Sequence, residues 1–496
     1  MTTSELPPAD AVSTISGRAW GALIVLCGAL FLDALDVSMV GVALPSIRDD
    51  LDMSTSALQW VVSGYVLGYG GFLLLGGRAA DLLGRRRLFL IALAVFLVFS
   101  GLSGLATNGT VLIATRFIKG VSAAFTAPAG LSIITTTFAE GPARNKALLV
   151  YTATGATGFS LGLVLSGLLT EVGWRWTLFL PVPLALVTLL AAIPLVPDAG
   201  RPPRRSRGSF DASGAVTVTS AMLLLVFTVV EAPSAGWGSP RTLLGFLGAI
   251  ALFAAFVAIE RRAPSPLVRL GILRSAPLVR ANVGALALFG AWVGFQFIAV
   301  LYMQQVRNWS ALETGLAIFP GGAMVALLAP TLTPRLVARF GVNRVIVAGL
   351  TSAVIAFALF LPIGLESNYA TAMFPTFVLA GLAFALSYGP LNIAATNGIA
   401  PEEQGLAGGL VNTSFQFGGA LVLAIVTAVN DAAAGEGGSP QDLLDGFHAA
   451  FVVPLVVAAL GVAATAIRRR RPAPEPEPAS DAVEERVLDI QPGSKV

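Results

Sequence analysis

Residues 20–43 read WGALIVLCGALFLDALDVSMVGVA, and this stretch decides the fold class. It is long enough to cross a bilayer as a helix, since about 20 apolar residues span the hydrocarbon core. Its apolar side chains surround the helix axis instead of following one face, which predicts apolar neighbours on every side. Asp33 and Asp36 interrupt the run. A charge inside a membrane is costly, so we expect these carboxylates to face a wet cavity or a partner.

Similar apolar stretches recur along the whole chain. They lie at 57–76, 88–106, 110–133, 147–169, 176–196, 213–231, 242–260, 278–302, 314–333, 345–363, 370–393, 405–429 and 447–467. Of the 496 residues, 55% are hydrophobic and 12% are charged, whereas soluble domains carry about 25% charged residues. The sequence therefore predicts an all-α membrane protein with fourteen transmembrane helices.

Lysine and arginine residues concentrate in alternate connections between these stretches. The connections on the side of the two termini hold 23 of them, and those on the other side hold 4. The positive-inside rule then predicts that both termini are cytoplasmic in a multi-pass protein of the bacterial plasma (inner) membrane. The same distribution explains the basic net charge of +3 by topology, so we expect no nucleic-acid partner.

The chain has few residues of the types that form catalytic or metal sites. Cys27 is its single cysteine and His448 its single histidine, too few for a metal cluster, a disulfide framework or a Ser/His/Asp triad. We expect no enzymatic activity, no metal site and no cofactor.

Two basic residues also lie inside a predicted membrane span. Arg116 and Lys119 lie three residues apart inside the stretch 110–133. Buried opposite charges are expected to pair, so we expect the first and fourth helices to meet, with Asp33 or Asp36 facing Arg116. A static ion pair that fixes helix packing is one interpretation, and proton handling is the other. A carboxylate near a cation can have its proton affinity switched by substrate or by conformation.

The turn between the second and third helices, GRAADLLGRRR at 77–87, resembles the signature G-x-L-a-D-r-x-G-r-r/k of the major facilitator superfamily. The residues on the pattern are Gly77, Asp81, Gly84, Arg85 and Arg86. Ala79 stands where leucine is usual. The resemblance implies a tight cytoplasmic turn that acts as a gate.

Two further motifs are similar to those of the fourteen-helix drug:proton antiporter branch, the EmrB/QacA type. LDVSMVGVALP at 35–45 matches L-D-x-T-I-V-N-V-A-L-P and puts Asp36 on the motif aspartate, with Gly41 replacing asparagine. LIATRFIKGVSAA at 112–124 matches l-x-x-x-R-x-x-q-G-x-x-a-A and puts Arg116 on the arginine. Lys119 occupies the glutamine position, where it would repel cationic substrates or take over part of the charge balance.

The fifth helix carries a weaker match. GFSLGLVLSG at 158–167 resembles the antiporter motif G-x-x-x-G-P-x-x-G-G through Gly158, Gly162 and Gly167. Glycines of this kind allow close helix packing. Leu163 takes the proline position and Ser166 the first glycine of the closing pair, which leaves the coupling of exchange open.

The resemblance implies the major facilitator fold, with two six-helix bundles and two extra transmembrane helices. The predicted regions are a cytoplasmic N-terminal segment at 1–19, an N-terminal bundle at 20–196, a basic linker with the two extra helices at 197–277, a C-terminal bundle at 278–467 and a disordered cytoplasmic tail at 468–496. The tail is rich in proline and glutamate, a composition that cannot bury a core.

The implied function is proton-coupled efflux of amphipathic or aromatic small molecules, such as drugs or antibiotics, by a monomer that alternates between two states in the lipid bilayer. The predicted substrate cavity contains Tyr65, Tyr69, Lys119, Trp292, Phe295 and Gln296. An uncoupled or uptake facilitator of the same fold is one alternative, and a non-cycling receptor or lipid-handling protein is another. The ninth to fourteenth helices contain no interior acidic residue, so the proton-coupling candidates are Asp33, Asp36 and Arg116.

Overall fold

The computed structural model describes residues 17–138, 142–198, 211–264, 266, 268–399, 403–434 and 439–466. Seven helices form the first part of the chain: α1 Gly17–Leu51, α2 Thr55–Leu83, α3 Arg85–Gly104, α4 Gly109–Thr137, α5 Pro142–Val172, α6 Arg175–Phe179 and α7 Pro181–Leu195. Two more follow: α8 Ala212–Ala235 and α9 Pro240–Arg262. The last part holds α10 Ala276–Leu301, α11 Ala311–Thr331, α12 Thr333–Phe340, α13 Val342–Phe360, α14 Phe374–Thr396, α15 Gln404–Ala433 and α16 Pro440–Ala466.

These helices reproduce the predicted transmembrane segments. Thirteen segments of the described chain are long and apolar enough to cross a membrane, with α6 and α7 together forming one of them. The 29-residue α2 supplies the fourteenth predicted segment. The prediction of an all-α membrane fold is confirmed.

The N-terminal bundle consists of α1–α7, in which α1 packs on α5 and α7, and α4 packs on α2 and α3. Close approach of α2 and α4 depends on glycines that face the other backbone. A Cβ atom at Gly120 would lie 2.8 Å from the carbonyl carbon of Tyr65, and one at Gly76 would lie 2.9 Å from that of Ala124. No side chain fits there, so these glycines set the spacing of the two helices.

The C-terminal bundle consists of α10–α16. Helix α10 packs on α15 and α16, and α14 packs on α13 and α11. A 3₁₀ turn at Leu270–Arg274 precedes this bundle. The π-helical segments Tyr302–Val306 and Tyr369–Met373 continue α10 and lead into α14. These segments extend the two spans beyond the regular helix.

Two helix pairs join the bundles: α5 with α11, and α2 with α15. We call these pairs the two seams. Helix α8 packs against both α2 and α15, and the Thr219 hydroxyl of α8 donates a 2.8 Å hydrogen bond to the carbonyl oxygen of Gly71. The extra helices α8 and α9 therefore lie beside one seam.

The molecule has two faces, named here by the chain ends. The terminal face is the one at which α1 begins and α16 ends, and the other is the opposite face. Residues 1–16, 199–210 and 467–496 lie outside the described residues. The predicted N-terminal segment at 1–19, the basic linker, the tail at 468–496 and the region boundaries therefore stay predictions.

Candidate functional site

A buried ion cluster joins α1 to α4 inside the N-terminal bundle. One oxygen of the Asp36 carboxylate accepts a hydrogen bond from Nη1 of Arg116, and the other accepts one from Nζ of Lys119. All three side chains are at most 1% exposed. The predicted meeting of the first and fourth helices is confirmed, with Asp36 as the residue that faces Arg116.

The guanidinium of Arg116 is fixed on two further sides. Its Nε donates a 3.1 Å hydrogen bond to the carbonyl oxygen of Val61, and its central carbon lies 4.5 Å from the ring centroid of Tyr65. Both contacts come from α2, which the glycine at position 120 brings close to α4. Arg116 therefore holds three helices in one geometry, using the planar fork that lysine lacks.

Lys119 belongs to the ion cluster. Its ammonium lies 4.9 Å from the ring centroid of Phe96 and is fully buried. The ammonium is bound to the carboxylate of Asp36, and the place of Lys119 in the substrate cavity stays a prediction. The sequence allowed two interpretations of Lys119, repulsion of cationic substrates or a part in the charge balance. Its ion pair with Asp36 fits the second.

Asp33 has a different environment from Asp36. Its carboxylate accepts a 3.2 Å hydrogen bond from the hydroxyl of Thr126 on α4, and its side chain is 8% exposed. No ion pair among the described residues includes Asp33. Two carboxylates three positions apart on one helix thus differ in their partners: Asp36 has two cationic partners, and Asp33 has a neutral hydroxyl.

The glycines of the fifth helix serve close packing. A Cβ at Gly158 would lie 2.7 Å from the carbonyl oxygen of Phe31, and one at Gly162 would lie 2.9 Å from that of Leu35, both on α1. Gly167 faces the other bundle, where a Cβ would lie 2.6 Å from Cα of Leu312. The motif positions therefore contact α1 at two places and the α5/α11 seam at one.

Leu163 and Ser166, the two residues that depart from the motif, still take part in close helix packing. The hydroxyl of Ser166 donates a 2.5 Å hydrogen bond to the carbonyl oxygen of Met39, so the serine ties α5 to α1. Opposite Leu163, helix α11 carries Gly315, whose Cβ would collide with the carbonyl oxygen of Leu163. Close packing at the seam is thus supplied partly by a glycine on the partner helix, which the sequence analysis missed.

The predicted turn between α2 and α3 is a single residue. Gly84 has φ +94, a conformation that side chains with a Cβ rarely adopt. Arg86 donates a 2.5 Å hydrogen bond to the carbonyl oxygen of Ile193 and forms a 3.5 Å ion pair with Asp198, both near the end of α7. The side chain of Asp81 lies outside the described residues, so its gating role stays a prediction, as do those of the motif residues Gly77 and Arg85.

A second turn of this kind separates α12 from α13. Gly341 has φ +82 and is preceded by Arg335 and Arg339 on the eight-residue α12. The segment TPRLVARFGVNR at 333–344 thus occupies in the second bundle the place that 77–87 occupies in the first. The sequence could have predicted this second turn, because an arginine stands six residues before the glycine in both segments.

Phe295 lies in the packed core of the C-terminal bundle. Its ring centroid is 4.8 Å from that of Phe357, 5.0 Å from Phe360, 6.0 Å from Phe377 and 5.7 Å from Phe451. The side chain is 1% exposed. This position corrects the prediction that Phe295 lines the cavity, because rings from α13, α14 and α16 surround it. We call these five residues the phenylalanine core.

The other predicted cavity residues lie nearer the boundary between the bundles. Gln296 faces α1, since its Nε2 is 3.5 Å from the place of a Cβ at Gly41. Trp292 packs edge to face on Phe384, with 6.3 Å between ring centroids. Tyr65 and Tyr69 form a similar pair at 6.3 Å on α2. Cavity lining stays a prediction for Tyr65, Tyr69, Trp292 and Gln296.

The bundles are joined at the opposite face. Nε2 of Gln304, just after α10, donates a 2.9 Å hydrogen bond to the carbonyl oxygen of Val42. Together with the contact of Gly167 and Leu312, this hydrogen bond links the two bundles at the opposite face.

The comparisons with known proteins agree with this architecture. The sequence profile of the Major Facilitator Superfamily matches residues 26–423. The chain is 36% identical to the cephamycin export protein CmcT of Amycolatopsis lactamdurans, over 92% of this chain and 95% of that protein. It is 34% identical to the puromycin resistance protein pur8 of Streptomyces alboniger, over 89% of this chain and 88% of that protein.

Solved transporter structures share the fold. A structure of an auto-inhibited POT family peptide transporter superposes with a TM-score of 0.65 at 15% identity, covering 92% of this chain and 99% of that one. The partially occluded, inward-open structure of the xylose transporter XylE from E. coli gives a TM-score of 0.60 at 16% identity, covering 90% of this chain and 97% of that one.

Proposed function

This chain belongs to the major facilitator superfamily, and we propose that it exports amphipathic or aromatic small molecules, antibiotics among them, in exchange for protons. The observation that carries the proposal is the Asp36 carboxylate held between Arg116 and Lys119 inside an apolar bundle. Relatives named for cephamycin export, puromycin resistance and lincomycin resistance support the export of antibiotics.

The ion cluster is suited to couple a proton to a change of shape. An ionised Asp36 attracts both cations and draws α4 toward α1. A proton on that carboxylate removes its charge and leaves two cations facing each other across a short distance. The two protonation states therefore favour different arrangements of α1 and α4, and only such a difference shifts a conformational equilibrium.

Rocking of the bundles about the two seams would supply alternating access. The seams are built from glycines and small side chains at which helices approach closely, as at Gly167 and Gly315. Small residues let one helix slide or tilt on another without displacing large side chains. A monomer suffices for this cycle, because one chain contains both bundles.

The terminal face is proposed to be cytoplasmic, in the plasma membrane of a bacterium. The excess of arginine and lysine in its connections supports this orientation, and the contacts that link the bundles at the opposite face support an inward-facing state. In a Cys27→Ser background, a cysteine at position 205 should react with a membrane-impermeant reagent only from the cytoplasm. A cysteine replacing Trp237, which is 55% exposed between α8 and α9, should react only from outside.

Uncoupled facilitation by the same fold is the second candidate. It is favoured by Leu163 and Ser166, which replace the proline and the glycine of the antiporter motif in α5. A facilitator would move substrate down its gradient and would not respond to a pH difference.

Everted membrane vesicles separate the candidates. We expect addition of an exported antibiotic, puromycin for example, to collapse part of an imposed pH gradient in vesicles that contain the protein and not in vesicles without it. Substrate movement with no change in the gradient would support facilitation instead. Neither movement nor a gradient change, across a panel of amphipathic antibiotics, would contradict transport and favour a non-cycling receptor.

A further inference from the structure

The first turns of α2, at the opposite face, bury polar side chains that have no hydrogen-bond partner among the described residues. Gln59 is 0% exposed, and neither its amide nitrogen nor its amide oxygen is hydrogen-bonded. Ser63, one turn further along, is also 0% exposed and has an unbonded hydroxyl. Buried polar groups are nearly always hydrogen-bonded, because burial otherwise costs them their bonds to water. These two side chains therefore destabilise the arrangement that buries them.

Both side chains lie on the side of α2 that faces the other bundle. Gly70 marks that side, since a Cβ there would lie 2.6 Å from Cβ of Gln416 on α15. Gln59 and Ser63 precede Gly70 by about three and two helical turns. Gly68, which meets the backbone of α4, points the other way. The polar pair thus lies in the α2/α15 seam, near the opposite face.

The second seam has the same feature at the same face. Thr170 of α5 is 8% exposed, and its hydroxyl has no hydrogen-bond partner among the described residues. It lies about two turns after Leu163, whose carbonyl oxygen faces Gly315 of α11. Helix α5 ends two residues later. Both seams therefore bury unbonded polar groups toward their opposite-face ends.

We propose that the two seams part at the opposite face during the cycle, and that Gln59 and Ser63 then line the water-filled path by which substrate leaves. Water hydrates the amide and the hydroxyl when the seam is open, and packing of the seam removes that water. The buried polar groups thus keep the packed arrangement weak enough to open, because a conformational equilibrium follows the free-energy difference between its states. This inference rests on the proposed alternating access and names the surface that opens.

Cysteine labelling tests whether this surface meets water. In a Cys27→Ser background, Ser63→Cys should react with a charged, membrane-impermeant methanethiosulfonate although the native side chain is fully buried. Ser100→Cys is the matched control. Ser100 is also 0% exposed with an unbonded hydroxyl, but it lies on α3, which packs on α4 and α7 of its own bundle. We expect Ser63→Cys to react at least about tenfold faster than Ser100→Cys.

The side of labelling is read from a third cysteine. Intact cells and everted vesicles are labelled in parallel, and a cysteine replacing the exposed Trp237 between α8 and α9 identifies the preparation in which the opposite face meets the reagent. Ser63→Cys should react faster in that preparation than in the other, because the seam opens toward that face.

Gln59→Leu tests whether the unbonded amide sets the balance. Packing of the seam no longer dehydrates an amide in this variant, so labelling of Ser63→Cys should slow about tenfold and the thermal midpoint should rise. Gln441→Leu is the control, since Gln441 lies at the same face, at the start of α16, but is exposed. It should keep the labelling rate within about twofold. Should Gln59→Leu fail to fold, the comparison of Ser63→Cys with Ser100→Cys carries the test.

The outcomes distinguish this inference from the proposed function. Equal labelling of Ser63→Cys and Ser100→Cys, or an unchanged or faster rate in Gln59→Leu, would overturn it even if everted vesicles show antibiotic export. Labelling that is selective for Ser63→Cys and slowed by Gln59→Leu, in a protein that transports nothing, would keep the opening surface and remove the transport proposal.

Discussion

The two bundles place different chemistry at corresponding points. The first helix of the N-terminal bundle, α1, presents Asp36 to two cations. The first helix of the C-terminal bundle, α10, presents Phe295 to four other phenylalanine rings. Both centres are almost fully buried. One bundle thus has a centre whose charge can change, and the other has a centre that cannot change its charge.

The difference indicates a division of tasks between the bundles. Buried ion pairs rarely add net stability, because desolvation of the charges offsets their attraction. Aromatic pairs add about 0.5–1.5 kcal/mol each beyond the burial of their area. Stability alone would favour an apolar centre in both bundles, so the charges of the N-terminal bundle point to function. The phenylalanine core would act as the rigid body against which the other bundle moves.

Arg116→Ala should have the larger effect of the two substitutions that each remove one cation from the ion cluster. It removes the partner of Asp36 that also bonds to Val61 and stacks on Tyr65. Export per folded molecule should fall about 100-fold, since truncating one partner of a buried charge pair costs about 2–5 kcal/mol. Lys119→Gln, which restores the residue usual in the motif, should lower export about tenfold or less. A larger loss in Lys119→Gln than in Arg116→Ala would contradict the central place of Arg116.

Phe295→Ala should affect stability and spare transport. Truncation of a buried phenylalanine costs about 3–5 kcal/mol, so the thermal midpoint of the purified protein should fall by several degrees. Export per folded molecule should stay within about twofold of the wild type. Phe295→Leu, which fills most of the volume, should lie between the two in stability. A transport defect in Phe295→Leu at wild-type stability would mean that the C-terminal centre takes part in the cycle.

Gly315→Ala should have a smaller effect, confined to the α5/α11 seam. Its Cβ would collide with the carbonyl oxygen of Leu163, so the two helices must separate slightly and the closed opposite face becomes less favourable. We expect a several-fold lower transport rate with little change in substrate affinity. Gly408→Ala is the matched control, since no atom lies within 4 Å of its Cβ position. Equal rates in both variants would show that the seam tolerates the added methyl group.

The sequence was sufficient for the membrane fold because the spans are uniformly apolar and their connections alternate in charge. It also predicted the pairing of α1 with α4, since four charged residues inside two spans leave few other partners. It did not distinguish Asp33 from Asp36, because residues three apart on a helix share a face. Their environments differ through Thr126, which lies two turns beyond Lys119 on α4 and was a recognisable signal.

The cavity was predicted less well. Phe295 and Gln296 are adjacent in sequence, yet Phe295 points into its own bundle and Gln296 toward α1. Apolar residues occur all around the axis of α10, so the hydrophobic pattern did not show which side faces the bundle core.

The most direct test of the account separates proton coupling from substrate exchange in proteoliposomes. Asp36→Asn should lose transport driven by an imposed pH gradient and keep substrate counterflow, in which labelled substrate exchanges with unlabelled substrate without a gradient. The double variant Asp36→Asn with Lys119→Gln restores the net charge of the ion cluster and controls for misfolding caused by an unpaired cation. We predict counterflow without gradient-driven transport in both variants. Gradient-driven transport by Asp36→Asn at the wild-type rate would contradict the account.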